Sequence, residues 1–559
     1  MTGSAKKWAW MFALLLTGRL VTSKGQTKAL SLSFENVTAQ SGIHFRHENA
    51  ASEEKYLIET MGGGCAWLDY DGDGWLDAFF VNSSPTPKFR PLRIPRNALF
   101  RNNRDGTFTE VTAKAGLEGD GLFAFGAAVG DYDNDSYPDV FVSGYARSVL
   151  YHNNRDGTFS DVTDKAGLRH QGFWASSAGW FDYDRDGDLD LFVANYLEWS
   201  YEKNIYCGDR VPGHRAYCSP KHFAPVSPTL YRNNGDGTFE DVTRPANVYL
   251  PEGKALGVAL ADLDLDGNVD AFVANDGVRN FLYFNDGHGK FHERGLESGV
   301  AYSEDGVAEA GMGVDVGDYD GDGLPDIYVT HLDHEYDRLY RNTGNRNFVD
   351  ATYDSGLGNS TYFFSGFGTR FSDFDRDGFL DLIVVNGHVL DNIQLLHPEV
   401  GYAERPLLFR NTGGKFVNVS SRLGEAFQEE RVGRGLAVGD YDNDGDPDLL
   451  ISNNGGPGEL IRNNTSGNHW LEIKLIGKKS NRDAIGARIT LWAGGRKRVD
   501  QVRGGSSYLS SSDLRVFFGL GRTAKAERIE MRWPSGTVQS IENPPIDSII
   551  TIEEAKSTP

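Results

Sequence analysis

Apolar residues along this chain come in short runs and not in long helical stripes. Seven of them, AFFV, VFVS, LFVA, AFVA, IYVT, LIVV and LLIS, each follow directly on a stretch dense in aspartate. Short segments rich in β-branched and aromatic residues and bounded by turn residues predict strands. A strand pattern also precedes each acidic stretch, as in GAAVGDYD, GWFDYD and GLAVGDYD, and an L-[YF]-R-N pattern or a variant follows at Leu99, Leu150, Leu230, Leu282, Leu339, Leu408 and Leu460. A turn and an F-x-x-V-T segment end the unit, clearest in NNRDGTFTEVT, NNRDGTFSDVT and NNGDGTFEDVT, with looser copies from Phe291, Phe348 and Phe416. Four short strands in each unit, repeated at intervals of 51 to 80 residues, predict the blades of a β-propeller. FENVT at Phe34 stands ahead of the first acidic stretch, and nothing similar follows Leu460. The N-terminal strand is therefore expected to complete the last blade, closing a ring of seven and leaving no sheet edge to template aggregation.

The acidic stretches share one nonapeptide, D-x-D-x-D-G-x-x-D. Position 1 is Asp69, Asp131, Asp182, Asp262, Asp318, Asp373 and Asp440; position 3 is Asp71, Asp133, Asp184, Asp264, Asp320, Asp375 and Asp442. Position 5 is Asp73, Asp135, Asp186, Asp266, Asp322, Asp377 and Asp444, and position 9 is Asp77, Asp139, Asp190, Asp270, Asp326, Asp381 and Asp448. A loop that curls around a hard cation offers alternate side chains at 1, 3 and 5 and a backbone carbonyl at 7. Trp75, Tyr137, Asp188, Asn268, Leu324, Phe379 and Asp446 occupy position 7, a scatter expected where only the carbonyl is used. Position 6 is glycine in six copies and Ser136 in the second, which answers the need for a sharp turn. All-oxygen ligands favour Ca²⁺ or Mg²⁺ over zinc or copper, and a flexible set of four carboxylates plus a carbonyl suits the larger ion, so about seven calcium sites are expected. An Asp-rich turn held by Asx hydrogen bonds without metal is the alternative; it would leave four carboxylates crowded in one loop seven times over.

Composition fits that reading. The 559 residues exceed what one compact core organises, unless repeats absorb the length, and 67 glycines point to many tight turns. The formal charge of −23 argues against nucleic acid, and positions 1, 3, 5 and 9 of the nonapeptides account for 28 of the 79 acidic residues, so much of the acidity is expected to be metal ligand. Residues 1–25 carry Lys6 and Lys7 ahead of an apolar run from Trp8 to Leu16, the pattern of an export signal, too short to span a bilayer. No other stretch is long and apolar enough to cross a membrane, so the mature chain is expected without a transmembrane segment, secreted or periplasmic. Cys207 and Cys218 lie close together in a polar insertion and are expected to form a disulfide, leaving Cys65 alone.

The repeats, best in FAFGAAVGDYDND from Phe123 to Asp135, resemble the FG-GAP or VCBS repeats of integrin α-chain propellers and secreted bacterial proteins. The remainder, with NHWLEIKLIGKKSNRDAIGARITL, QVRGGSSYLSSSD, VFFGLG and RIEMRWPSGTVQ, resembles an ASPIC/UnbV domain. Together they are similar to the cartilage acidic protein family, which implies a secreted calcium-binding protein. The expected division is a signal peptide at 1–25, a seven-bladed propeller over 30–466 and an ASPIC/UnbV domain over 467–555. The whole chain is expected to be all-β, the C-terminal part a small sandwich or barrel. Its Arg482, Arg488, Arg498, Arg503 and Arg515, with Lys478 and Lys479, are read as packing on the acidic propeller in preference to forming an anion-binding face.

For catalysis the candidates are His214, His222, His331, His334 and His388, with Asp333 and Glu335 near two of them. They form no triad and no H-E-x-x-H zinc motif, so ordinary loop histidines are the expectation and no enzyme is inferred. The insertion over 195–228, with Trp199, Tyr201, Tyr206 and Tyr217, is the candidate recognition loop, because long loops on rigid scaffolds usually carry function. The expected function is an extracellular binding or adhesion module for a protein or glycan. The alternatives are a carbohydrate-active lyase or hydrolase with its site in the propeller funnel, and a purely structural matrix or envelope component.

Overall fold

The computed structural model describes residues 32–169 and 174–555; the expected signal peptide lies outside them. Between Phe34 and Asn463 the described strands form seven four-stranded antiparallel sheets. Six are contiguous in sequence, as in Cys65–Leu68, Asp77–Phe80, Ala98–Asn102 and Phe108–Glu110. The last sheet takes Gly433–Gly439, Asp448–Asn453 and Glu459–Asn463, and its fourth strand is Phe34–Asn36, with Phe34 opposite Asn463 and Asn36 opposite Ile461. The closure expected from FENVT is present. The first strands of the seven sheets neighbour one another in cyclic order, so they line the axis of a propeller.

Antiparallel order sorts the connections between two faces. The acidic nonapeptides join first to second strands on one face; second-to-third connections, including the insertion after Asn195, lie on the other.

The C-terminal part has seven strands in two sheets. Val516–Gly521, His469–Ile476 and Ile549–Glu553 form one, the last pair parallel; Arg496–Gln501, Arg488–Ala493, Ala526–Arg532 and Val538–Glu542 form the other. Its core of Leu471, Ile473, Ile489, Leu491, Ile529, Met531 and Trp533 is continuous with that of the third and fourth blades, so the two parts share buried surface.

The run QVRGGSSYLSSSD is no surface loop. Residues 503–513 enter the propeller axis and bond to the first strand of every blade. Trp180 and Leu260 donate backbone N–H groups to the carbonyls of Gly504 and Gly505, at 3.0 and 3.2 Å. Ser507 and Val314 exchange reciprocal bonds, and Thr369 N donates to Ser507 Oγ at 3.2 Å. Ala127 N donates to Leu509 O at 3.0 Å, Ser511 and residues 65 and 67 of the first blade pair, and Val438 N donates to Ser512 Oγ. Tyr508 at the tip is fully buried, its ring against Phe367 at 4.9 Å and its hydroxyl donating to Met61 O. The inner edges of seven sheets thus find partners in one inserted segment, which meets the requirement that buried backbone groups be paired.

Close approach explains a glycine pattern. Five residues before the first aspartate of each nonapeptide stands glycine in six repeats and Ser177 in the third. A Cβ on Gly64 would meet Leu509 O at 1.7 Å, a backbone atom that cannot yield locally. Gly64→Ala is therefore expected to unseat the inserted segment and lower the unfolding free energy by at least ~3 kcal/mol, the upper end of overpacking costs. Denaturant unfolding of the variant checks this; unchanged stability would contradict it.

Candidate functional site

Each nonapeptide folds into the same turn. Position 6 has positive φ in all seven, from 80° at Ser136 to 98° at Gly187, and position 4 does too, at Gly72, Asn134, Arg185, Leu265, Gly321, Arg376 and Asn443. Two left-handed residues per loop bend the chain around the carboxylates. In the first loop Asp69 Oδ1 accepts from Asp73 N and Oδ2 from Gly74 N, at 2.8 and 3.0 Å, while Asp73 Oδ1 accepts from Trp75 N at 3.0 Å. At position 9 every aspartate is 1 % exposed or less.

The carboxylates are crowded and under-partnered. Asp69, Asp71 and Asp77 can each place an oxygen within 4.8 Å of the others, as can Asp131, Asp133 and Asp135, and Asp182, Asp184 and Asp190. Asp71 Oδ1, Asp184 Oδ1, Asp262 Oδ1 and Asp442 Oδ1 are buried with no hydrogen-bond partner. Burial, then the neighbouring carboxylates Asp186 and Asp184, push Asp182 up to about 7; burial drives Asp190, Asp270 and Asp448 well above the carboxylate range. Guanidinium groups offset part of this charge: Arg101 meets Asp71 at 2.7 Å, Arg104 meets Asp73 at 2.6 Å and Arg410 meets Asp377 at 2.7 Å. An all-oxygen donor set with orphaned buried carboxylate oxygens fits a hard cation.

The loops are tied to each other through asparagine. In the first blade Asp77 Oδ1 accepts from Asn102 N at 2.7 Å, and Asn102 Nδ2 donates to Leu76 O and to Tyr441 O of the seventh blade's loop, at 3.0 and 2.8 Å. The equivalents Asn153, Asn233, Asn285, Asn342, Asn411 and Asn463 reach Tyr70 O, Tyr132 O, Tyr183 O, Leu263 O, Tyr319 O and Phe374 O of the preceding blades. These are the final residues of L-[YF]-R-N.

The C-terminal domain covers this face. Asp483 Oδ2 accepts from Asp131 N at 2.8 Å, Gln501 Oε1 from Asp262 N at 2.9 Å, and Arg515 donates to Asp440 O at 2.8 Å. Arg503 and Arg515 are buried, ion-paired with Asp500 and with Asp513 and Glu472. The packing role expected of these two arginines holds.

The opposite face carries a cavity of about 320 Å³. Tyr508 at the tip of the axial segment and Phe367 form part of its wall, joined by Tyr196, Tyr217, Asp276 and Glu335. The insertion folds over it: Leu197–Glu198 pairs with Ala224–Pro225, Cys207–Gly208 with Arg215–Ala216, and Cys207 and Cys218 form the expected disulfide. Cys65 is free and buried. Glu335 is pushed up to about 7 by burial, and Asp276 to about 6 by burial that the Tyr196 hydroxyl at 2.5 Å partly offsets. Of the predicted histidines, His334 and His388 come together on Asp333, each at 2.7 Å. His331 is buried apart, its ring pushed down to about 3 by desolvation, and His214 and His222 stay in the insertion. His397, on the same cavity wall, was not singled out by the sequence.

The FG-GAP-like repeat model matches residues 69–142, 131–193, 223–273, 262–329 and 318–384, and the FG-GAP repeat model matches 432–468. The chain belongs to the FG-GAP repeat family. Residues 477–559 match the ASPIC and UnbV model. Cartilage acidic protein 1 of Homo sapiens is 25% identical over 494 residues, 85% of this chain and 60% of that protein. Its Mus musculus counterpart is 27% identical over 442 residues, 74% of this chain and 63% of that one. This FG-GAP chain therefore spans less than two thirds of either relative. Among solved structures, a lectin of Agrocybe aegerita described as recognising non-reducing terminal N-acetylglucosamine aligns at 18% identity and a TM-score of 0.40, covering 64% of this chain and 79% of that one. Among the described residues no helix is long and apolar enough to cross a membrane.

Within the FG-GAP frame, position 7 is not uniform. Asp188 accepts from Asn134 Nδ2 at 2.8 Å and Asp446 pairs with Arg376 at 2.6 Å, each linking adjacent loops. The sequence reading, which used only the carbonyl there, gave no hint of these side-chain links. Ser136 holds φ 80° where the other repeats have glycine, and left-handed backbone costs an L-residue roughly 1–2 kcal/mol. Ser136→Gly is accordingly expected to raise the unfolding free energy by about 1 kcal/mol; thermal unfolding of the variant reads this, and a lowered midpoint would contradict it.

Proposed function

We propose that the protein is a secreted calcium-loaded propeller that binds an extracellular protein or glycan, with no catalytic role. The orphaned, buried carboxylate oxygens of the nonapeptides carry the calcium half of this reading. Asp69, Asp71, Asp73 and Asp77, with the carbonyl of Trp75, and their counterparts in the other six loops would hold the ions. Calcium, when bound, would supply the positive charge that such crowded carboxylates lack, at loops whose two left-handed bends already gather the ligands. Because the loops are chained through Asn102 and its equivalents, fixing one loop braces the next blade. Secretion is supported by the Cys207–Cys218 disulfide, which persists in oxidising compartments.

Binding is assigned to the face opposite the loops. There the disulfide-bridged insertion stands over a recess with aromatic walls and two buried carboxyl groups, the mix that rigid recognition sites use. An enzyme of carbohydrates is the weaker reading. The axial segment leaves a recess in place of a through-channel, and Glu335 and Asp276 are already engaged with Ala310 N and the Tyr196 hydroxyl.

At free calcium tenfold above the dissociation constant each site contributes about 1.4 kcal/mol, and seven contribute about 10 kcal/mol. Excess chelator is expected to lower the melting temperature by many degrees, with recovery on adding calcium. A melt that chelation leaves unchanged would overturn the calcium assignment. A glycan-array screen of the calcium-loaded protein then tests the binding half.

A further inference from the structure

The wall of the cavity opposite the calcium loops holds a second group of metal-ligand side chains with a different chemistry. His334 lies in the second-to-third connection of the fifth blade, and His388, His397 and Glu399 lie in that of the sixth. Their protons can be assigned from the hydrogen bonds. His388 Nδ1 accepts from Leu390 N at 2.9 Å, so its proton sits on Nε2 and is donated to Asp333 Oδ1 at 2.7 Å. Asp333 Oδ2 then accepts from His334 Nδ1 at 2.7 Å. In the neutral ring this places the lone pair of His334 on Nε2, which faces Glu399 Oε1 at 3.2 Å. His397 Nδ1 stands 3.8 Å from the same carboxylate oxygen, and the His334 and His397 rings are 4.3 Å apart.

Two imidazole nitrogens and a carboxylate oxygen converging in this way are the donor set of a shared cation. We infer that His334 Nε2, His397 Nδ1 and Glu399 bind a divalent transition metal of the zinc type, with Asp333 and His388 as the chain that orients His334. The separations fit: ligand atoms of a tetrahedral zinc with bonds of 2.0–2.1 Å stand about 3.3 Å apart, against 3.2 and 3.8 Å here. Nitrogen ligands select against Ca²⁺ and Mg²⁺. A carboxylate on the far nitrogen of a metal-binding histidine is the usual way its tautomer and ring direction are fixed. The backbone is strained where this geometry is set. His334 has φ 62°, held by its N–H on Tyr362 O at 2.7 Å, and a non-glycine residue in that region costs energy that functional sites tolerate. Three protein ligands leave a fourth position open, and because His334 and His397 line the cavity, a carboxylate or hydroxyl of a bound molecule could take it.

The test is a Co²⁺ titration of the full chain in millimolar calcium, which keeps the acidic loops occupied. One equivalent is expected, with visible absorption in the intensity range of tetrahedral nitrogen and oxygen coordination, displaced by one equivalent of Zn²⁺. His397→Ala and Glu399→Gln are expected to weaken Zn²⁺ binding by at least tenfold each while leaving the calcium-loaded melting temperature within a degree or two, since both side chains are about 40 to 50% exposed. His334→Ala is expected to abolish binding; should it fail to fold, the other two variants decide. Absence of stoichiometric Co²⁺ and Zn²⁺ binding, which would make the contact a simple His334–Glu399 ion pair, overturns the inference, as does binding that His397→Ala and Glu399→Gln leave unchanged.

Discussion

The architecture depends on seven buried aspartates that have no solvent to hold them. Asp77 and its six counterparts sit at the point where loop, second strand and third strand meet, and each is satisfied by two backbone N–H groups: Tyr70 N and Asn102 N in the first blade. Removing a carboxylate from water is costly unless its oxygens find donors or a cation, so the surrounding backbone must adopt one geometry to supply them. The same asparagine whose N–H serves its own aspartate sends its side chain to the neighbouring blade. One polar junction therefore sets both the fold of a blade and its distance from the next, and a ring of seven such junctions closes on itself at Asn102 and Tyr441.

From this arrangement the division of labour between the two faces follows. The face with the acidic loops is covered by the C-terminal domain, whose Asp483, Gln501 and Arg515 bind loop backbone directly. The segment that leaves this domain through the axis satisfies the inner strands and delivers Tyr508 to the far end, where it becomes cavity wall. What a propeller would otherwise offer as an open funnel is thus reduced to a recess on one face. The recess is shaped by the insertion, by the tip of the axial segment and by the histidine-bearing connections. In the function proposed above, stability and recognition lie at opposite ends of the same strands.

Much of this was legible in the sequence because it is encoded locally. The D-x-D-x-D-G-x-x-D spacing marks the turn that gathers each loop's carboxylates, the strand after each copy is apolar, and FENVT without a partner at the C-terminal end of the repeats announces the closure by Phe34–Asn36. What escaped was non-local. Asn102 bonds to a carbonyl 339 positions away, and nothing around L-F-R-N marks that contact, although its recurrence in each repeat was a usable signal. The axial segment reads as a polar, small-residue turn; only the ring of glycines five positions ahead of the loops hinted that a backbone must pass close by. His334 and His388 were noticed and set aside because they make no sequence motif, and His397 was missed since its ring neighbour His334 comes from another blade. Left-handed position 4 was hidden for a different reason: glycine, asparagine, arginine and leucine all occupy it, so no single residue type betrays the turn.

The central claim is that calcium in the acidic loops holds the ring together. Crystals of the protein purified in calcium, measured at a long wavelength where calcium scatters anomalously, test it most directly. The account predicts a peak inside each nonapeptide, at roughly 2.3–2.6 Å from its carboxylate oxygens. Loops without a peak, their aspartates bonded only to protein and water, would contradict it.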